Sequence, residues 1–279
     1  MIPLLLTLLS VQPTPAPTPQ ATPPISVLEQ RQVADRQLLI CRTRAAEFKG
    51  FPEEELSVWD VCLREAKTRE LTLAIPLIQG ERALVELEQK SPGLAQRDPI
   101  THARAVLAIE ASSPDVLLPI SDLRVAWLLL ISDPSSRQNL DAVRTVTVRV
   151  EDLQVDDADM VEELLRRHIG DMGFKVALPD DASAANSSIH FMVSGNQSAS
   201  IRRTSRMDFH EITLNVSSGP IQYTSLKRQG SPLSAQGFSS PTLPDQAFRE
   251  AADAASEGLA QAFLRQVVGE LFSPGQDPL

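Results

Sequence analysis

Basic residues are in short supply: 26 lysines and arginines stand against 36 aspartates and glutamates, a net charge of -10 over 279 residues. A chain of that sign repels a phosphate backbone, which argues against nucleic acid as a partner. Long apolar runs are missing beyond the first residues. The most apolar later stretch, 125–131, is too short to cross a bilayer as a helix, so no transmembrane helix is expected in the mature chain. Only two cysteines occur, Cys41 and Cys62, with no third or fourth ligand beside them, which argues against a metal centre. The 12 glycines form no phosphate-cradling loop, and no Gly-x-Ser-x-Gly turn is present. His210-Glu211 lacks the second histidine that a zinc protease needs, and His102, His168 and His190 share no ligand spacing with it. Aromatics, at 4%, are few enough to be spent on cores. No cofactor is implied, and catalysis is the less favoured class.

What the chain has in plenty is apolar residues, 42% of the total, which suffices for two modest cores. Residues 2–11 are an apolar run that passes into a Pro/Thr-rich stretch, 12–24. About ten apolar residues suit the core of a secretory signal, although no Lys or Arg precedes them, with cleavage near Ala16 or Ala21. The prolines that follow predict an extended tether. Export to the periplasm or beyond is the expectation, and the alternative is an accidentally apolar N-terminus. No cysteine follows the run to serve as a lipoprotein anchor.

From residue 25 the pattern is helical to about 142. Lys49-Gly50-Phe51-Pro52 breaks it once, and two helices folded back about that break bring Cys41 and Cys62 to comparable heights. In an oxidising compartment that favours a disulfide, with a pair of buried thiols as the alternative. Leu56, Trp59, Leu63, Ala66, Leu73, Leu77, Leu84 and Leu87 continue one apolar stripe, and Pro76 and Gly80 predict a kink or a division into two helices. A further helix begins at Asp98-Pro99, and 115–143 reads as more short helices broken by Pro119 and Pro134, with 123–131 as the buried member. No fixed repeat period is found, so the region reads as an irregular bundle.

At residue 144 the period changes. Residues 145–150 alternate as a strand, Asp156, Asp157 and Asp159 open a helix that Gly173 ends, and 174–178 resumes as a strand. Two long strands, 188–201 and 207–216, meet at an arginine-bearing tip; a short strand follows at 221–226, then a loop over 229–244 and a closing helix over 245–271. The fold class is therefore α+β: an N-terminal irregular all-helical region, then a two-layer α/β sandwich ordered β-α-β-β-β-β-α, with both helices on one face. The corresponding divisions are 1–24 for signal and tether, 25–142 for the helical region, 144–272 for the sandwich and 273–279 for a frayed tail.

The run Glu162-Glu163-Leu164-Leu165-Arg166-Arg167 leading to Gly173-Phe174-Lys175-Val176, and later Phe248-Arg249-Glu250-Ala251-Ala252, resembles small bacterial envelope modules. Two are similar over residues 145–268: the lipopolysaccharide-assembly lipoprotein that plugs the outer-membrane translocon, and the N-terminal domain of the Tol-Pal protein TolB. The resemblance implies a non-catalytic binding role with another envelope protein as partner. Here the lipobox cysteine is absent and a long helical region precedes the module.

Arg202, Arg203 and Arg206 are the foremost binding candidates, a cationic hairpin tip able to grip an anion by paired hydrogen bonds. A solvated hairpin tip is the plainer explanation, since charges commonly sit in water. Ile212, Leu214 and Val216 should form the buried face that supports it. The acids at 156–163 are helix-start residues stabilised by the dipole before they are a cation site, since no glycine spaces them as a calcium loop would. Phe51 and Trp59 are candidates for an exposed aromatic contact. His190 and His210 stand on neighbouring strands and are weighed as a pair. Three function classes follow: an exported protein-binding or assembly module, a hydrolase with an unfamiliar site between the two regions, and a helical adaptor.

Overall fold

The computed structural model describes residues 27–140, 143–153, 155–177, 189–204, 207–224 and 227–273. The signal-like segment and tether lie outside them, as do Arg206 and the tail from 274. The architecture is α+β, and among the described residues no helix is long and apolar enough to cross a membrane.

Helix α1 (Val27–Ala46) turns back through Gly50 into α2 (Pro52–Thr68). Gly50 has φ +93°, a conformation side chains resist, and Pro52 with Glu53, Glu54 and Glu55 then supplies a helix start suited to the dipole. The hairpin brings the Cα atoms of Cys41 and Cys62 to 6.0 Å, and the two fully buried sulfurs are bonded. The stripe beyond does divide into two helices, but earlier than Pro76 and Gly80 suggest. Glu70 adopts φ +55° and α3 (Ala74–Lys90) begins after it, with Pro76 in its first turn where the missing N–H is harmless. Gly80 breaks nothing. A Cβ there would lie 2.1 Å from the Leu117 carbonyl oxygen, so glycine marks where a later loop crosses α3, beside the Leu117 N–H bond to the Pro76 carbonyl at 3.0 Å.

The short helix α4 (Leu94–Arg97) leads to α5 (Pro99–Ser112), which Asp98 caps by accepting from the Thr101 N–H at 3.0 Å. Next come α6 (Ile120–Ser132) and α7 (Pro134–Leu140), then β1 (Thr145–Glu151), α8 (Val155–Asp171), β2 (Lys175–Ala177), β3 (Ile189–Arg203), β4 (Asp208–Ser218), β5 (Gln222–Tyr223), β6 (Arg228–Gln229), β7 (Ser234–Ser239) and α9 (Pro244–Phe272). The sheet runs β2-β1-β3-β4-β7, parallel on the β2 side and antiparallel from β3 to β7, and β5 pairs with the start of β3.

Strand β7 lies in the stretch expected to be a loop. Its inward positions are Ala235, Gly237 and Ser239, too small to draw a hydrophobic alternation, because α9 presses directly on them: a Cβ on Gly237 would come 1.8 Å from the Ala251 carbonyl oxygen. The alanines of α9 allow that approach, and the helix is buried on adjacent positions (251/252, 259/260, 263/264, 267/268), so more than one of its sides is covered. It lies between the sheet in front and α8 and α5 beside and behind it.

A small apolar cluster joins α1, α2 and α3. The larger one takes in α5, α6, the sheet, α8 and α9, and it runs without interruption through Leu140, Val143 and Val146. Four aromatic rings cross its layers in sequence: Trp127 on α6, Phe174 before β2, Phe263 on α9 and Phe191 on β3, with centroids 5.0–5.4 Å apart. Glu110 on α5 and Arg265 on α9 form a largely buried ion pair. Both also hold Leu118, Glu110 through its N–H at 2.7 Å and Arg265 through its carbonyl at 2.7 Å, so the loop before α6 is fixed to α9. Gly173 serves twice, since its φ of +92° ends α8 and a Cβ would meet Ile131 and Leu128 of α6 at 2.6 and 2.7 Å.

Candidate functional site

Register assigns the faces of the sheet. Val146, Val148 and Val150 pair with Ile189, Phe191 and Val193, and together with Leu214 and Val216 they are buried beneath the helices. Ile212 is half-buried against the same core. The residues between them point to the other face, which no helix among the described residues covers. Leaving one face solvated is ordinary for antiparallel sheets, and here the residues on it are mostly amides and hydroxyls. Asn215 donates to Asn196 Oδ1 at 3.2 Å, Gln236 donates to Asn215 Oδ1 at 2.9 Å, and the hydroxyls of Ser194 and Ser217 lie 3.3 Å apart. These cross-strand bonds fix the amides in a row and orient their remaining donors and acceptors outward.

One end of this face is concave. The turn at Gly219 and Pro220 and the β5–β6 hairpin stand as a wall beside β1 and β3, enclosing a groove of about 650 Å³. Its floor carries Arg149, Glu151, His190, Ser194 and Met192, the last 52% exposed. His190 Nδ1 lies 2.7 Å from Thr147 Oγ1, which holds the imidazole ring against β1. Gln222 and Gln229 close the far side. The groove offers charges of both signs, amides and one apolar thioether, a mixture suited to a protein surface. Tyr223 on β5 points to the opposite face, where burial first and the negative charge of Glu270 second push its phenol far above the usual tyrosine range.

The arginine tip is less available than its sequence suggests. Arg202 donates from Nε to Glu211 Oε1 at 2.6 Å and lies over the Phe209 ring at 4.8 Å, and Arg203 is 3.9 Å from Asp208. Both described arginines therefore face a carboxylate on the opposing strand, and Arg206 lies outside the described residues. Phe51 is 62% exposed, whereas Trp59 is buried in the α1–α3 cluster, so the pair makes no joint surface. His190 and His210 are apart: His190 pairs with Thr147 and Gln222 near the start of β3, and His210 pairs with Ile201 near its end, on the other face. His168 is bonded to Asp253 at 2.8 Å. Glu162 accepts from the Val150 N–H at 3.1 Å and pairs with Arg166, which gives one of the helix-start acids a structural partner. Among the described residues no group of three or more His, Cys, Asp or Glu is placed to hold a metal ion.

The groove was missed in the sequence because its wall is built by Gly219-Pro220 and two-residue strands that leave no periodic signal. The alternation of β1 alone marks Thr147, Arg149 and Glu151 as outward.

No protein family matches the chain, and no curated protein does. Among solved structures, a minor lipoprotein from Acinetobacter baumannii is similar at 12% identity and a TM-score of 0.29, covering 48% of this chain and 98% of its own. A DUF330 protein from Xanthomonas campestris is similar at 15% identity and a TM-score of 0.25, covering 47% of this chain and 81% of its own. Scores this low assign no role.

Proposed function

We propose that the chain is an exported, non-catalytic envelope protein that binds another envelope protein through the helix-free face of its sheet. The observation that carries this reading is the face itself: cross-bonded amides and serines, a groove of about 650 Å³ at one end, and the half-exposed Met192 on its floor. Fixed polar groups around an apolar contact are the usual anatomy of a reversible protein interface. The compartment is supported separately by the buried Cys41–Cys62 bond, which an oxidising environment preserves, and by the apolar run at 2–11. The lipopolysaccharide-assembly and TolB resemblances name two settings in which such a module works.

A photo-crosslinker placed at Met192, compared with one at Val125 on the exposed side of α6, tests the reading in fractionated cells. A protein adduct confined to position 192 and recovered in the envelope fraction supports it. Equal adducts from both positions, or recovery in the cytosol with both thiols reduced, refute it.

A second reading, a hydrolase, has one observation in its favour, the 2.7 Å contact between the Thr147 hydroxyl and His190 inside the groove. That geometry suits a nucleophile beside a base. Hydrolysis of an ester or peptide panel that disappears in both Thr147→Val and His190→Ala would favour it over binding.

A further inference from the structure

β7 is the last strand of the sheet order, with β4 on one side and, among the described residues, no strand on the other. Its polarity follows from the bonds at its ends. The Ser218 N–H donates to the Leu233 carbonyl and the His210 N–H to the Pro241 carbonyl, both in the register that pairs β4 with β7. Mutually bonded pairs alternate along an antiparallel ladder, so Val216–Ala235, Leu214–Gly237 and Ile212–Ser239 are the bonded ones. Ser234, Gln236 and Phe238 therefore turn their backbone N–H and C=O groups away from β4, and among the described residues nothing is bonded to those groups. The usual devices that blunt such an edge are missing: residues 229–244 carry no charge, no proline lies within 234–239, and the continuous register leaves no bulge.

What can lie beside β7 is set by α9. Ser239 bonds Glu250, Gly237 lies under Ala251 and Ala255, and a Cβ on Gly258 would meet that of Ala235 at 3.2 Å. From 239 to 235 the strand covers about 13 Å while the helix from 250 to 258 covers about 12 Å, so α9 runs antiparallel to β7 and directly above it. Pairing β7 with the β7 of a second copy would set two such helices ~4.8 Å apart, where packed helices need about 8–10 Å. A second copy is thereby excluded. A strand without a helix of its own fits, provided its side chains toward α9 are small.

We propose that β7 accepts an extended, uncharged segment of a partner protein as an added strand, with small side chains toward α9 and aliphatic ones on the helix-free face. Each property follows from what the segment would touch. The neutral stretch 229–244 offers no charge to pair, the close approach of α9 to Gly237 leaves room for small groups alone, and Phe238, 43% exposed, offers an apolar neighbour. The added strand continues the helix-free face, where Gln236 is already bonded to Asn215. The proposal rests on the reading above for the partner's being a protein, and adds how that partner is held. No residue of β7 lines the groove, so edge and groove can be tested apart.

Amide exchange of the full chain, with and without a capped six-residue peptide alternating valine and alanine, reads the edge. In the chain alone the amides of Ser234, Gln236 and Phe238 should exchange fast while those of Ala235, Gly237 and Ser239 are protected. The peptide should slow the first set. Its dissociation constant should rise roughly tenfold or more in Gln236→Pro, which loses an outward N–H and leaves the β4–β7 ladder its bonds. Gln236→Ala, which gives up the bond to Asn215 but keeps the N–H, should bind as the parent does, and so should Met192→Asp, which alters the groove alone. Circular dichroism checks that each variant is folded. Outward amides already protected in the chain alone overturn the proposal, since the edge would then be occupied. So does a peptide that slows no β7 amide, or one lost in Met192→Asp and kept in Gln236→Pro, which would assign it to the groove. In an envelope pull-down, a partner lost in Gln236→Pro and kept in Met192→Asp supports the edge while the groove reading fails, and a partner kept in Gln236→Pro overturns the edge whatever Met192→Asp does.

Discussion

Gly237→Ala tests the packing that builds the helix-free face, because β7 is held to the sheet's edge and to α9 at the same point. The added methyl carbon would lie 1.8 Å from the Ala251 carbonyl oxygen, 2.6 Å from the Ala255 nitrogen and 2.8 Å from the Ala251 carbonyl carbon. All three are backbone atoms of one helical turn, so no side-chain rotation relieves the clash. Bringing the nearest contact to an ordinary separation of about 3 Å requires β7 and α9 to part by roughly 1 Å, which a close-packed core resists. The helix cannot retreat, since the Glu110–Arg265 pair and the Phe263 ring stacks hold it from behind and beside. Strand β7 must yield instead, straining its ladder from Ile212–Ser239 to Ser217–Ser234. Overpacking of this kind costs about 3 kcal/mol. Urea unfolding should show the midpoint falling at constant slope, with faster amide exchange along β7. Gly269→Ala is the control: its Cβ meets nothing within 4 Å inside α9, and it should stabilise by about 0.5–1 kcal/mol. A Gly237→Ala protein within about 0.5 kcal/mol of the parent would refute the close approach.

Two further predictions concern stability. Replacing Cys41 and Cys62 together by alanine frees a loop closed over a separation of 21 residues and should cost about 3 kcal/mol in urea unfolding; equal midpoints for the parent and the double variant would contradict this. Asp98 and Asp133 are both held below the usual aspartate range, Asp98 by the Thr101 hydroxyl and then its N–H, Asp133 by the hydroxyls of Ser135 and Ser136 and then the Ser136 N–H. Their lowered folded values mean that the stability they contribute is fully present above about pH 4 and is lost as pH falls through those values. Thermal melts should therefore decline more steeply below about pH 4 in the parent than in an Asp98→Asn, Asp133→Asn protein, and parallel curves would show that the caps contribute nothing.

The elements that were legible in the sequence are those whose signal is local. Gly50 and Pro52 announce the first hairpin and hence the disulfide, the alternation of 145–150 announces β1, and Gly173 ends α8 where expected. What escaped depends on partners distant in sequence. Gly80 looked like a helix breaker and is a crossing point for Leu117; β7 looked like a loop because α9 leaves no room for large side chains on it. The packing of α5 behind α9 was hidden for a related reason, since a helix buried on several sides through alanines draws only a faint stripe. For the candidate site, the sequence marked the arginine tip, of which the described Arg202 and Arg203 face Glu211 and Asp208 across the hairpin, and passed over the groove, whose wall is a turn and two short strands.

Partner binding through the groove is read by a crosslinking pull-down from the envelope fraction with the parent chain, Met192→Asp and Val125→Asp compared side by side. Both substituted residues are more than half exposed, so folding should be unchanged by circular dichroism. The parent and Val125→Asp should retain the same partner and Met192→Asp should lose it, because a charge on the groove floor must be desolvated on binding. An unchanged partner in Met192→Asp would contradict it.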